Sequence, residues 1–147
     1  MAKLEQLTLE VALVLKVAQL LGKVVIVTNS TRPWVTSSCE AYMPQLMDIL
    51  GEFPVIYAQE KIPAIKQKLQ ADREGFFARY TRNNKHGDLT LDEELECVWT
   101  AIKSQAMEEA VSSFYTKYEN QSWKNLISIG DGRFEHRALK EVASFTE

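Results

Sequence analysis

Gly130-Asp131-Gly132 is the stretch whose residue types most directly suggest chemistry. Asp131 follows the apolar run Leu126-Ile127-Ser128-Ile129, and the flanking glycines permit a tight turn that projects its carboxylate from the end of a strand. A carboxylate so placed suits magnesium, which takes oxygen donors, usually one or two carboxylates completed by water and substrate phosphate. Glu135, four residues later, falls in the first turn of a following helix and could hold a metal-bound water or orient the loop. The plainer role for Asp131 is a turn residue capping the last helix, where Asp is favoured in any case.

Thr28, Asn29 and Ser30 form a second polar cluster, offering a hydroxyl, an amide and backbone N–H groups ahead of a helix start. Such a turn can seat a phosphate, which the amides and the helix dipole stabilise. The same residues are also ordinary turn formers and caps. Two lysines compete to balance the phosphate. Lys124 lies seven residues before Asp131, at the far end of that strand at roughly 3.3 Å per residue. Lys103 lies on a helix running back along the strand, roughly 22 Å before its end at Tyr118, which lifts it to the level of Asp131. The alternative for Lys103 is a solvated surface position. His86 and His136 lack partners at triad or metal spacing, and Trp34, Trp99 and Trp123 fall at core-like positions.

These residues need a scaffold. Leu4, Leu7, Val11, Val14, Leu15, Ala18 and Leu21 recur at helical spacing, predicting an amphipathic helix ended near Gly22. Val24 to Val27 is a short β-branched run expected of a buried parallel strand, closed by Thr28. Pro33 opens a helix to about Leu50, Val55 to Ala58 forms a second strand, and a helix follows from Ile62 to about Tyr80 despite Gly75. Residues 81–89 read as an exposed loop. Thr90 with Glu93 has capping-box spacing for a helix to about Tyr118. Leu126 to Ile129 is the third expected strand, before a last helix to about Phe145. Strands alternating with helices predict an α/β protein: a Rossmann-like parallel sheet flanked by helices, with its working residues beyond the carboxyl ends of the strands.

Composition limits the function classes. The chain of 147 residues suits one domain, and its 46% hydrophobic and 25% charged residues are those of a globular protein. A net charge of -3 without a basic block argues against nucleic acid. Glu5, Glu10 and Lys16 interrupt the first apolar stretch, which argues against an export signal or a membrane span. Two cysteines without metal-ligand spacing, Cys39 and Cys97, fit reduced thiols in a cytoplasmic protein.

Three segments in order resemble the haloacid dehalogenase (HAD) superfamily of phosphohydrolases. Val24-Val25-Ile26-Val27-Thr28-Asn29 is similar to its second motif, an apolar strand ending in Ser or Thr. Lys103 with Ala106 and Met107 is similar to the third, and Ile127 to Glu135, containing Gly130-Asp131, to the fourth. Trp34-Val35 and Ser122-Trp123-Lys124-Asn125 further resemble a poorly characterised eukaryotic branch from algae and other protists. The resemblance covers about Val24 to Leu139.

It implies an incomplete HAD core in a single domain over residues 1–147. Thr28 and Lys103 would be catalytic, Asn29 and Ser30 would join them on phosphate, and Asp131 and Glu135 would hold Mg2+. The substrate would be a small phosphorylated molecule. The superfamily's attacking Asp-x-Asp-x-Thr motif is missing. Only Glu5 and Glu10 are acidic before Thr28, the first aspartate is Asp48, and Asp88-Leu89-Thr90-Leu91-Asp92 has the wrong spacing. Without an attacking carboxylate a covalent phosphoaspartate step has no nucleophile. The expectation is a truncated phosphatase relative with weak or no independent activity, lacking the first strand and a last strand. Its rival is a non-catalytic interaction protein that self-associates through exposed strand edges. A nicotinamide site is disfavoured, because the turn after Val27 lacks the glycine pattern.

Overall fold

The computed structural model describes residues 2–81, 89–116 and 125–144. Arg82 to Asp88, including His86, and Trp123 and Lys124 lie outside the described residues. The described chain divides into two compact units, residues 1–57 and 58–147.

In the first unit, helix α1 (Ala2–Leu21) is followed by strand β1 (Ile26–Thr28) and helix α2 (Trp34–Tyr42). A 3-10 turn (Pro44–Leu46), a short helix α3 (Met47–Leu50) and strand β2 (Val55–Tyr57) complete it. The expected single helix from Pro33 to Leu50 is therefore broken. Pro44 lacks an N–H to continue the ladder, and the preceding Met43 is driven out of helical geometry. β1 pairs with β2 in parallel, Ile26 opposite Val55 and Thr28 opposite Tyr57. Leu46, Ile49 and Phe53 form the core, covered by Val11, Ala12 and Leu15 of α1 and by Val24 and Ile26.

In the second unit, a 3-10 turn (Ala58–Lys61) leads into helices α4 (Ile62–Ala71), α5 (Arg73–Tyr80), α6 (Leu91–Tyr115) and α7 (Arg133–Ser144). The expected helix from Ile62 to Tyr80 splits at Asp72, whose carboxylate accepts the Gly75 N–H at 2.8 Å and caps α5. The Thr90–Glu93 capping box forms as the spacing predicts and starts α6. α7 packs more extensively on α6 than does any other element. Ala101, Ala106 and Ala138 are fully buried there or nearby, and small residues let helix backbones approach.

A Rossmann-like sheet does not form. Among the described residues 74% are helical and 5% are strand, and the sheet has two strands only. The third expected strand, Leu126 to Ile129, carries no strand assignment, and Ile127 and Ile129 are exposed. A four-residue run of strand-like composition becomes a strand only when another strand accepts its hydrogen bonds. Among the described residues no helix is long and apolar enough to cross a membrane.

Candidate functional site

The predicted site residues fall into both units. Thr28 ends β1, and its Oγ1 accepts the Ser30 N–H at 3.1 Å. That bond is a local turn of the kind Thr commonly makes, and it occupies one of the N–H groups expected to face a phosphate. α2 begins at Trp34, whose N–H bonds Thr31 O at 2.9 Å, so the polar turn does not lead straight into a helix start. The Asn29 Oδ1 is buried without a hydrogen-bond partner.

Lys103, Asp131 and Glu135 belong to the second unit. The surface position considered for Lys103 is overturned: it is 4% exposed, and its Nζ lies 3.3 Å from Glu135 Oε1. The structure thus brings together two of the residues singled out from sequence. The other carboxylate oxygen, Oε2, is buried without a hydrogen-bond partner. It rests against the turn that carries Asp131, where a Cβ built on Gly132 would fall on Glu135 Oε2, and one on Gly130 would lie 3.0 Å from its Cγ. None of the described glycines has positive φ. The glycines on either side of Asp131 therefore make room for Glu135 rather than supply an unusual turn.

Thr100 and Ser104, on the same buried stretch of α6 as Lys103, are also almost fully buried, and neither hydroxyl has a hydrogen-bond partner. Buried hydroxyls without partners are uncommon. Thr100 lines a cavity of about 740 Å³ bounded by α5, α6, the Asp131 turn and α7. Four cations line it, Arg79, Arg133, Arg137 and Lys140, against two carboxylates, Asp131 and Glu141, a surplus of two positive charges. Two of the cations carry ion pairs: Arg79 with Glu141 at 3.4 Å and Arg137 with Glu96 at 3.0 Å. His136 and Tyr80 complete the polar lining. Burial pushes the Tyr80 phenol up, Arg79 opposes this, and Glu141 and Glu108 add to it, so the phenol remains a hydrogen-bond donor at neutral pH.

The sequence carries a signal for these cations. Arg133, Arg137 and Lys140 are spaced four and three residues apart and so share one face of α7.

The implied magnesium does not fit the described residues well. Glu135 is engaged by an ammonium group, Asp131 stands on a cavity wall dominated by cations, and no three His, Cys, Asp or Glu side chains cluster among the described residues. Magnesium needs oxygen donors around it rather than guanidinium groups. No step below runs through the metal. Among known proteins, no family, no curated sequence and no solved structure matches the chain.

Proposed function

We propose that this chain binds a small phosphorylated molecule in the cavity of its second unit, as a relative of the HAD phosphohydrolases without efficient turnover of its own. The observation that carries the reading is the cationic cavity in a chain whose net charge is -3. Guanidinium groups bind phosphate oxygens in pairs, and charge-assisted hydrogen bonds are roughly twice as strong as neutral ones. The Thr100 hydroxyl supplies a buried donor in the same hollow. Asp131 stands on the wall as the acid closest in kind to the superfamily's fourth motif. The chain offers no attacking Asp-x-Asp pair, so holding the ester is the activity its residues support. Two thiols, Cys39 and Cys97, are consistent with a cytoplasmic setting.

The test is titration calorimetry with inorganic phosphate and with p-nitrophenyl phosphate, with and without Mg2+. Saturable binding should weaken at least about tenfold in Arg133→Gln/Lys140→Gln, the loss expected for one or two charge-assisted hydrogen bonds. Heat that does not saturate, or an affinity untouched by the double substitution, would refute the reading. Magnesium-dependent release of p-nitrophenol, abolished by Asp131→Asn, would show that turnover persists and overturn the non-catalytic part.

A second reading, an interaction protein, is favoured by one observation: α1 is apolar on its outer side as well as toward the core.

A further inference from the structure

We infer that the molecule held in the cavity of the second unit is a phosphorylated polyol, in chemical class a sugar phosphate, and that Asp131 and Glu141 select it by accepting hydrogen bonds from its hydroxyl groups. This rests on the phosphate reading above and adds the rest of the ligand and the residues that recognise it.

The space far exceeds a phosphate. A volume of about 740 Å³ lies within the roughly 300–1,000 Å³ of small-molecule sites. A phosphate group has roughly the bulk of three waters, at about 30 Å³ each, so most of the hollow belongs to the remainder of the ligand. Among the described residues no aliphatic side chain lines it. The Tyr80 ring is already packed against Phe76, with centroids 5.1 Å apart, and lies under the Arg79 guanidinium at 5.5 Å, so its hydroxyl is what Tyr80 offers. A hydrocarbon tail therefore meets no apolar wall, and a nucleobase finds no pair of apolar faces to lie between.

Charge selects what fills the space. Among the described residues Arg133 and Lys140 make no ion pair, and their two charges match a phosphomonoester, which carries about −1.5 to −2 at neutral pH. Asp131, on the same wall, makes no ion pair among the described residues either. A carboxylate beside a phosphate repels it, so this acid favours only a ligand that also brings a hydrogen-bond donor. That donor is a neutral hydroxyl, because an ammonium group would meet four cations in the same hollow. Glu141 accepts from Arg79 at 3.4 Å and keeps lone pairs for a second donor. The Thr100 hydroxyl, 1% exposed and without a hydrogen-bond partner, lines the same cavity and can both donate to a polyol and accept from it. Asp131 is on this account a specificity residue rather than a metal ligand.

Titration calorimetry of the whole chain in EDTA, with inorganic phosphate, glucose 6-phosphate and AMP as separate ligands, tests this. Glucose 6-phosphate should bind at least about tenfold tighter than inorganic phosphate or AMP, the gain from one or two hydrogen bonds to a charged group. Asp131→Ala should lower that preference at least about fivefold, and Glu141→Gln is an independent second variant with an effect in the same direction. A metal ligand would leave the preference unchanged in EDTA. Asp131 is exposed, and unchanged helical circular dichroism confirms that both variants fold. Saturable phosphate binding without a preference for the sugar phosphate overturns the inference and leaves the phosphate reading standing. A preference that survives both substitutions, or AMP bound as tightly as glucose 6-phosphate, does the same. If neither inorganic phosphate nor glucose 6-phosphate saturates, both readings fall together.

Discussion

The two units depart from the ordinary distribution of polarity in opposite directions. The first is apolar where it meets solvent, along the outer side of α1. The second is polar where it is buried, at Thr100, Lys103 and Ser104 of α6. Neither departure favours the stability of an isolated chain. Exposed leucines gain nothing from the hydrophobic effect, and a buried ammonium loses its hydration. The contrast is between two helices: α1 keeps apolar side chains on its outer face, and α6 keeps polar side chains in its buried stretch. Lys103 and Glu135 also show that a residue can lie beside a candidate site without facing a ligand, since each engages the other.

The largest effect should come from breaking that buried pair. Lys103→Met leaves the Glu135 carboxylate buried without its cation, and Glu135→Gln does the converse. Removing one partner of a buried pair costs about 3–5 kcal/mol, a large part of an ordinary domain's total stability of about 5–15 kcal/mol. Urea unfolding of each variant measures it. The double variant, with neither charge, should recover much of the loss, giving a coupling of more than about 1 kcal/mol in the cycle. Equal stability of wild type and Lys103→Met would mean that the ammonium reaches water, and the contrast between the units would fail.

Local features were legible because short-range rules decide them. Thr90 and Glu93 form their cap at the expected spacing, β1 closes on Thr28, and Asp131 sits just before α7. Helix breaks were harder. Met43-Pro44 is a pair that ends helices, yet the apolar spacing from Val35 to Ile49 runs through it unbroken. The sheet is illegible for a different reason. Leu126 to Ile129 has strand composition, but pairing is a long-range property that composition does not carry, and among the described residues only β1 and β2 find each other. Alternating strand-like and helix-like segments imply the architecture, and the Gly-Asp-Gly turn points to Asp131 and Glu135. The basic face of α7 is three residues visible at helical spacing. Burial of Lys103 was not legible, since a lysine among alanines and serines reads equally as surface.

A smaller effect should distinguish glycines in the two units. A Cβ at Gly132 collides with Glu135 Oε2, whereas one at Gly22, just beyond α1, meets nothing within 4 Å. Gly132→Ala must displace the end of Glu135 and with it the Lys103 contact, at a cost of about 1–3 kcal/mol typical of overpacking. Gly22→Ala should be neutral or stabilise by about 0.4–1 kcal/mol through the unfolded chain. Shifts in the denaturation midpoint report both. If Gly132→Ala proves harmless, the turn is not packed on Glu135 and the second unit is looser than its buried charges imply.

The smallest effect concerns the two thiols, one in each unit. Burial pushes both Cys39 and Cys97 up, so at neutral pH both are protonated and poor nucleophiles. Access then decides between them. Cys39 is partly exposed, whereas Cys97 is 2% exposed and its Sγ–H donates to the Tyr80 carbonyl at 3.5 Å. Iodoacetamide at mildly alkaline pH should modify Cys39 first, and Cys97 only as fast as the second unit opens. The sign of the linked stability follows from the upward shift. The protonated thiol favours the folded state, so its contribution is complete below the unfolded value of about 8.5 and is lost as pH rises through the higher folded value. Stability should therefore decline above about pH 8.5, with the raised Tyr80 phenol adding to the fall above about pH 10. Cys97→Ala should flatten the first part of that decline by less than about 1 kcal/mol, while Cys39→Ala, in the more open setting, should change it less. Cys97 modified as quickly as Cys39 would show that α6 is as accessible as α2, and the buried polar stretch beside it would then be hydrated rather than held for a ligand.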